Sequence, residues 1–216
     1  MVAKQAQLIA VEGPDGVGKD TLIEMLSTVL TTETGRTWRT TTDPSQERIG
    51  KLIREILRGP VQDELEALGY LFLADRLAYF PPAEVMPYCL SSRYLLSTAI
   101  YQRQVLGESA TIATLLNRKL RRPALTLILL ASPQTCMGRL AKRDPNKGSE
   151  VFERRSTVED ACRDYREVAL GSGNWAWLLE HQEQVLGRQV LSLDTDGLSP
   201  DEVLDAAIAQ LRPWVK

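Results

Sequence analysis

Apolar and polar positions divide the chain into two kinds of run. The first are short, almost unbroken apolar segments: Gln7 to Glu12, Tyr88 to Ser91, Thr126 to Ala131 and Gln189 to Leu193, with Thr37 to Thr42 as a more polar member. Apolar runs of this length predict strands buried on both faces. The second are longer segments with apolar residues at helical spacing, as at Leu22, Ile23, Met25, Leu26, Val29 and Leu30. They predict helices over about 18–33, 47–58, 62–79, 94–105, 109–119, 133–143, 153–170 and 199–211. Strands taking turns with helices predict an α/β fold on a five-stranded, mainly parallel sheet. Ligands of such sheets gather beyond the carboxyl ends of the strands, so the segments after the first three strands are expected to converge.

One of those segments carries a motif. Gly13-Pro14-Asp15-Gly16-Val17-Gly18-Lys19-Asp20-Thr21 follows the first strand and opens the first helix. It has the frame Gly-x-x-x-x-Gly-Lys of a phosphate-binding loop, with Asp20 where a Ser or Thr hydroxyl is expected to meet Mg²⁺. The glycines let backbone N–H groups turn inward, the helix N-terminus adds partial positive charge, and Lys19 reaches the β and γ phosphates of a nucleotide.

Composition narrows the setting. The 216 residues can bury one full core with room for a small lid. Lys plus Arg number 26 against 28 for Asp plus Glu, a net charge of −2, which argues against a general nucleic-acid binder. Cys89, Cys136 and Cys162 lack metal-ligand spacing and fit reduced thiols in the cytoplasm. No leader-like segment and no apolar run of ~20 residues is present, so neither export nor a membrane partner is expected. The charged segment 142–150, broken by Pro145 and Gly148, is either an ordinary solvated connection or a lid.

Three further segments resemble the thymidylate kinases, within the nucleoside monophosphate kinase group. Phe72-Leu73-Ala74-Asp75-Arg76 is similar to the family's Phe-x-x-x-Arg helix. The run from Ser92-Arg93-Tyr94 through Ser97-Thr98 to Ala99-Ile100-Tyr101-Gln102 is similar to its Asp-Arg-Tyr/His, Ser and Ala-Tyr-Gln run, with the leading Asp changed. Ile49 to Arg54, after Asp43-Pro44, resembles the helix that follows the family's Arg-Glu-Pro-Gly-Gly loop. With the phosphate loop, the order and spacing agree from about Gln7 to Leu211.

The resemblance implies a P-loop NTPase-type, three-layer α/β/α fold, one domain over residues 1–216 with its lid near 142–150. It implies ATP as co-substrate, Mg²⁺, dTMP as acceptor and a homodimer. Phe72 and Arg76, four apart, share a helix face, where a ring can stack on a base and a guanidinium can bond its carbonyl; the alternative is that Phe72 is core, among Leu68, Leu71 and Leu77. Arg93, after a strand, is expected in the phosphate cleft, bridging donor and acceptor; a surface ion pair is the bland alternative. Tyr101 lies about two helical turns on, where the family's tyrosine favours deoxyribose, and Thr98 and Gln102 are further candidates for base contact, with a polar helix face as the equal alternative. Asp15 matches the carboxylate that binds the 3′-hydroxyl; the alternative is a turn residue between glycines. Arg139, Arg143 and Lys147 stand where lid cations clamp adenine and the transferring phosphoryl group.

Two departures from the family belong together. Asp20 replaces the loop hydroxyl, and Ser92 replaces the strand-end carboxylate, so one carboxylate and one hydroxyl are kept with their positions exchanged. Together they are expected to hold Mg²⁺. Two other readings of Asp20 stay open: repulsion of a β-phosphate, or support of the helix N-terminus from outside the site. Thr42 stands for an Arg and Ser45-Gln46 for Gly-Gly, which leaves Arg48, Lys51 or Arg54 to hold the acceptor phosphate. The competing functions are a kinase for another deoxynucleotide or nucleoside, and a nucleotide-binding protein that has lost catalysis.

Overall fold

A computed structural model describes residues 7–59, 65–142 and 155–215. Its five strands are β1 (Gln7–Glu12), β2 (Arg39–Thr42), β3 (Tyr88–Ser92), β4 (Leu125–Leu130) and β5 (Gln189–Asp194). They form one sheet in the order β2-β3-β1-β4-β5, and every pairing is parallel. The register sets Val11 and Thr42 on either side of Ser92. Three strands therefore end level with one another, as a converging site requires.

The helices described are α1 (Lys19–Thr34), α2 (Arg48–Arg58), α3 (Leu65–Tyr79), α4 (Leu95–Leu106), α5 (Glu108–Leu115), α6 (Pro133–Ala141), α7 (Arg155–Leu170), α8 (Ala176–Glu180), α9 (Gln182–Val185) and α10 (Pro200–Leu211). They cover both faces of the sheet. Ile9, Val11, Leu127 and Leu129 pack with Leu26 and Leu30 of α1 and Ala207 and Leu211 of α10. The alternate residues Leu8, Ala10, Ile128 and Leu130 pack with Leu95 and Ala99 of α4 and Tyr165 of α7. Side chains of a strand point to opposite faces in turn, so a sheet buried on both sides accepts no polar phase. Thr126, the polar residue inside β4, is buried and donates its hydroxyl to the Leu186 carbonyl at 2.6 Å.

Several boundaries differ from the sequence pattern. β2 begins at Arg39 rather than at 37, because Trp38 is tied to α1: its N–H donates to Thr31 Oγ1 (3.1 Å) and its carbonyl accepts from Ser27 Oγ (3.0 Å). α5 stops at Leu115 rather than at 119, where Asn117 folds back to accept from the Lys119 N–H and Arg122 takes up the carbonyls of Leu115 and Asn117. α8 and α9 were not expected; they are one-turn helices too short to show a period. The helix expected over 62–79 is described from Leu65. The expected lid lies outside the described residues except for Lys142, and so does the start of the helix expected from 153. Among the described residues no helix is long and apolar enough to cross a membrane.

Candidate active site

β1 runs directly into the phosphate loop, and α1 starts at Lys19. Gly16 has a φ of 82°, and a Cβ there would lie 2.3 Å from the Cys136 carbonyl oxygen on α6. Only a residue without a side chain lets the loop sit against α6. Gly18, at φ 105°, turns the chain into α1, whose first N–H groups have no helical acceptor and face the site. Lys19 is 6% exposed and donates Nζ to the carbonyls of Gly13 (3.0 Å) and Pro14 (2.8 Å). Burial and the neighbouring Arg93 lower its pKa to about 8, against the pull of Asp15, Asp20 and Glu12.

At the loop lies a cavity of about 600 Å³, lined by the segment from Asp15 to Leu22, by Thr42, Ser92 and Arg139, and by Leu198, Pro200 and Val203. The last three are apolar and suit the flat face of a base. Arg139 spends its fork on the protein: Nη1 donates to the Val17 carbonyl (2.9 Å) and to Thr195 Oγ1 (3.0 Å), and Nη2 to the Thr195 carbonyl (2.9 Å). It ties the phosphate loop to the turn after β5. Asp20 and Ser92 meet at the cavity wall, where Ser92 Oγ donates to Asp20 Oδ1 at 2.5 Å. A carboxylate beside a hydroxyl is a hard oxygen pair that suits Mg²⁺ when phosphate oxygens and waters complete the shell.

A second, narrower cavity of about 40 Å³ is lined by Phe72, Arg76, Ser97, Thr98, Tyr101 and Gln102, together with Leu57. Asp15, Asp43, Pro44 and Arg93 line both cavities. Arg76 is buried; its Nε donates to Asp43 Oδ2 (2.7 Å) and its Nη2 to the Tyr94 carbonyl (3.2 Å) and Thr98 Oγ1 (2.6 Å). Its Nη1 is buried without a partner among the described residues. Burial pushes the Asp43 carboxyl up to about 6, although Arg76 opposes this. Phe72 satisfies both of its readings at once: it packs with Ile53, Leu57 and Leu68 between α2 and α3, and it lines the cavity.

Arg93 stands where the two cavities join. Its Nη2 is ion-paired with Asp15 Oδ1, its Nη1 donates to Ser97 Oγ (3.3 Å), and its guanidinium carbon lies 5.3 Å from the centre of the Tyr101 ring. Its backbone is left-handed, with φ 67°, which costs roughly 1–2 kcal/mol in a residue with a bulky side chain. Burial raises the Tyr101 hydroxyl pKa, so the group stays protonated.

Of the three cations expected to hold the acceptor phosphate, Arg54 lines the larger cavity and none lines the smaller one. Arg54 is turned onto the carbonyls of Pro44, Ser45 and Gly50, bracing the Pro44-Ser45 turn after a cis Asp43-Pro44 bond. Lys51 faces a separate surface cleft with Arg58, and Arg48 lines neither cavity. Arg143 and Lys147 lie outside the described residues. Reading the sequence missed Asp43, whose proximity to Arg76 spans 33 positions, and Asp75, which accepts from the Ser45 N–H (2.6 Å) and hydroxyl (2.7 Å). The signals for Asp43 were its place just after a strand and the resemblance of Asp43-Pro44 to the family's Glu-Pro.

Comparison with known proteins agrees with this arrangement. The family model "Thymidylate kinase" matches residues 11–189. A probable thymidylate kinase of Methanocaldococcus jannaschii is 30% identical over 168 residues, covering 74% of this chain and 80% of its own length. The thymidylate kinase of Leptospira interrogans serovar Lai is 31% identical over 174 residues, covering 78% and 84%. The solved structure of thymidylate kinase from Candida albicans superposes with a TM-score of 0.72 at 20% identity, covering 97% of this chain and 92% of that one, a likeness of fold. A phosphate loop opening onto two joined cavities and a family match over residues 11–189 lead to one conclusion: the chain belongs to the thymidylate kinase family.

Proposed function

We propose that the protein transfers the γ-phosphoryl group of ATP to the 5′-monophosphate of thymidine, giving dTDP and ADP. The observation that carries this reading is the junction of the cavities at Arg93 and Asp15, where an acceptor phosphate and a donor γ-phosphate would meet. The loop amides and Lys19 bind the donor phosphates, and the wall of Leu198, Pro200 and Val203 receives the adenine. Arg139 orients the loop from behind. In the acceptor cavity Phe72 stacks on the thymine, the unpartnered Nη1 of Arg76 donates to a base carbonyl, and Thr98 and Gln102 complete the base contacts. Tyr101 closes over the sugar and Asp15 accepts from the 3′-hydroxyl. Arg93 holds the acceptor phosphate in line with the donor and neutralises charge as the phosphoryl group crosses.

Asp20 and Ser92 would hold Mg²⁺, which when bound neutralises charge on the β and γ oxygens. Their hydrogen bond supports the exchange of carboxylate and hydroxyl read from the sequence. The three buried free thiols suit a cytoplasmic setting. Tyr70 and Leu77, seven apart and exposed on α3, and Leu52 on the adjoining α2 offer an apolar face for a homodimer. One protein chain, residues 1–216, would carry the whole reaction as one domain with its lid near 142–150.

The test is incubation with ATP, Mg²⁺ and a panel of nucleosides and monophosphates while ADP release is followed. Turnover is expected with dTMP. Turnover with a different acceptor alone, or ATP binding without turnover, would overturn the proposal.

A further inference from the structure

Glu12, the last residue of β1, is completely buried and lies one residue before the phosphate loop. It touches neither cavity lining, yet its carboxylate accepts four hydrogen bonds. Oε1 receives the backbone N–H groups of Tyr94 (2.8 Å) and Ser97 (3.2 Å), which belong to the start of α4 and have no helical acceptor. Oε2 receives the hydroxyls of Ser97 (2.6 Å) and Tyr165 (3.2 Å), and those two hydroxyls are themselves 2.9 Å apart. A carboxylate thus caps α4 from another element, in place of a side chain at the helix's own N-cap.

This cap fixes the residue on which the proposed transfer depends. Arg93 is held in its left-handed conformation from both sides: its own N–H donates to the Val11 carbonyl (3.0 Å), and the next N–H, that of Tyr94, donates to Glu12. Val11 and Glu12 are adjacent, so the end of β1 grips two successive amides. The guanidinium is gripped as well, because Ser97 Oγ gives its proton to Glu12 and so presents a lone pair to Arg93 Nη1. Tyr165 reaches the same carboxylate from α7, 153 positions away.

We infer that Glu12 is a positioning residue for phosphoryl transfer, acting through Ser97 and the backbone of Tyr94 to aim Arg93, with Tyr165 linking that aim to α7. The inference rests on the reading of Arg93 as the residue that bridges the phosphates. Glu12→Gln keeps the size and the Oε1 contacts but puts an NH₂ donor where Oε2 was. The Ser97 hydroxyl must then turn to accept from the amide, and its lone pair is no longer reserved for Arg93.

The test compares Glu12→Gln, Arg93→Lys and the double variant by steady-state kinetics with ATP, Mg²⁺ and dTMP. Glu12→Gln is expected to lower kcat about tenfold or more with each KM within about threefold, as a misaimed group lost in the transition state does. In the Arg93→Lys background the same change should cost less than about threefold, because the two act as one unit. An unchanged kcat in Glu12→Gln, or an equal fall in both backgrounds, overturns the inference. An unchanged kcat in Arg93→Lys instead overturns the reading of Arg93. If Glu12→Gln does not fold, Tyr165→Phe and Ser97→Ala, which leave the carboxylate in place, carry the same comparison: each should lower kcat more than it raises either KM, and wild-type kcat in both overturns it.

Discussion

In the donor half of the cleft the working groups are backbone amides and one lysine facing a cavity of about 600 Å³, whereas in the acceptor half both guanidinium groups are already paired with carboxylates around a cavity of about 40 Å³. Among the described residues, the lysine of the donor half donates its hydrogen bonds to two loop carbonyls. The acceptor half has balanced each charge with an internal partner in advance, Arg76 with Asp43 out of water and Arg93 with Asp15 partly exposed. A ligand there gains little from charge alone and much from shape and hydrogen-bond pattern, because a wrong molecule leaves buried donors unmet. The donor half is therefore built for grip and the acceptor half for discrimination.

The difference can be broken most severely on the donor side. Lys19→Ala should lower kcat by roughly 10³-fold, about 4 kcal/mol, while circular dichroism and thermal unfolding stay near wild type. A loss below tenfold would mean that the amides alone carry the grip. On the acceptor side the largest effect should fall on folding: Arg76→Ala leaves Asp43 buried without its cation and should cost about 3 kcal/mol of stability, measured by denaturant unfolding. Stability within 1 kcal/mol of wild type would show that the pair is not balanced in advance.

Asp20→Ala tests the metal pair. It should raise the Mg²⁺ concentration needed for half-maximal activity by about tenfold or more and leave the KM for dTMP unchanged, since Asp20 lines only the donor cavity. Full activity at unchanged Mg²⁺ would remove Asp20 from the proposed metal site. The mildest lever is pH. Lys19 in the free protein is mostly an ammonium below about pH 8 and mostly neutral above it, so ATP affinity should be level below about pH 7 and fall about fivefold from pH 8 to pH 9. Binding of dTMP over the same range should change less, and parallel curves would erase the contrast between the halves.

The donor half was also far easier to read from the sequence. Gly13, Gly16, Gly18 and Lys19 act through local backbone shape, which spacing records, and the strand before them shows in a six-residue apolar run. The family resemblance placed Phe72, Arg76, Arg93, Thr98, Tyr101 and Gln102, and the structure brings them to one cavity. What stayed hidden are three carboxylates that hold the surroundings of the site in place. Asp43, Asp75 and Glu12 work through partners 30 to 85 positions away along the chain, and Tyr165 lies 153 from Glu12. No periodicity carries such pairings, because they are set by how strands and helices stack. The bracing role of Arg54 was hidden for the same reason: a cation on a helix near the site shows the turn it braces only when the fold is seen.

The left-handed backbone at Arg93 bears on attempts to make this protein more robust. A search for stabilising substitutions that scores backbone comfort would rank this position near the top, with glycine or asparagine as the replacement. Acceptance of that replacement would relax a strained link at the cost of the guanidinium at the junction. Residue 93 should therefore be held fixed in any thermostabilised library, and stability gained there should be treated as a warning sign.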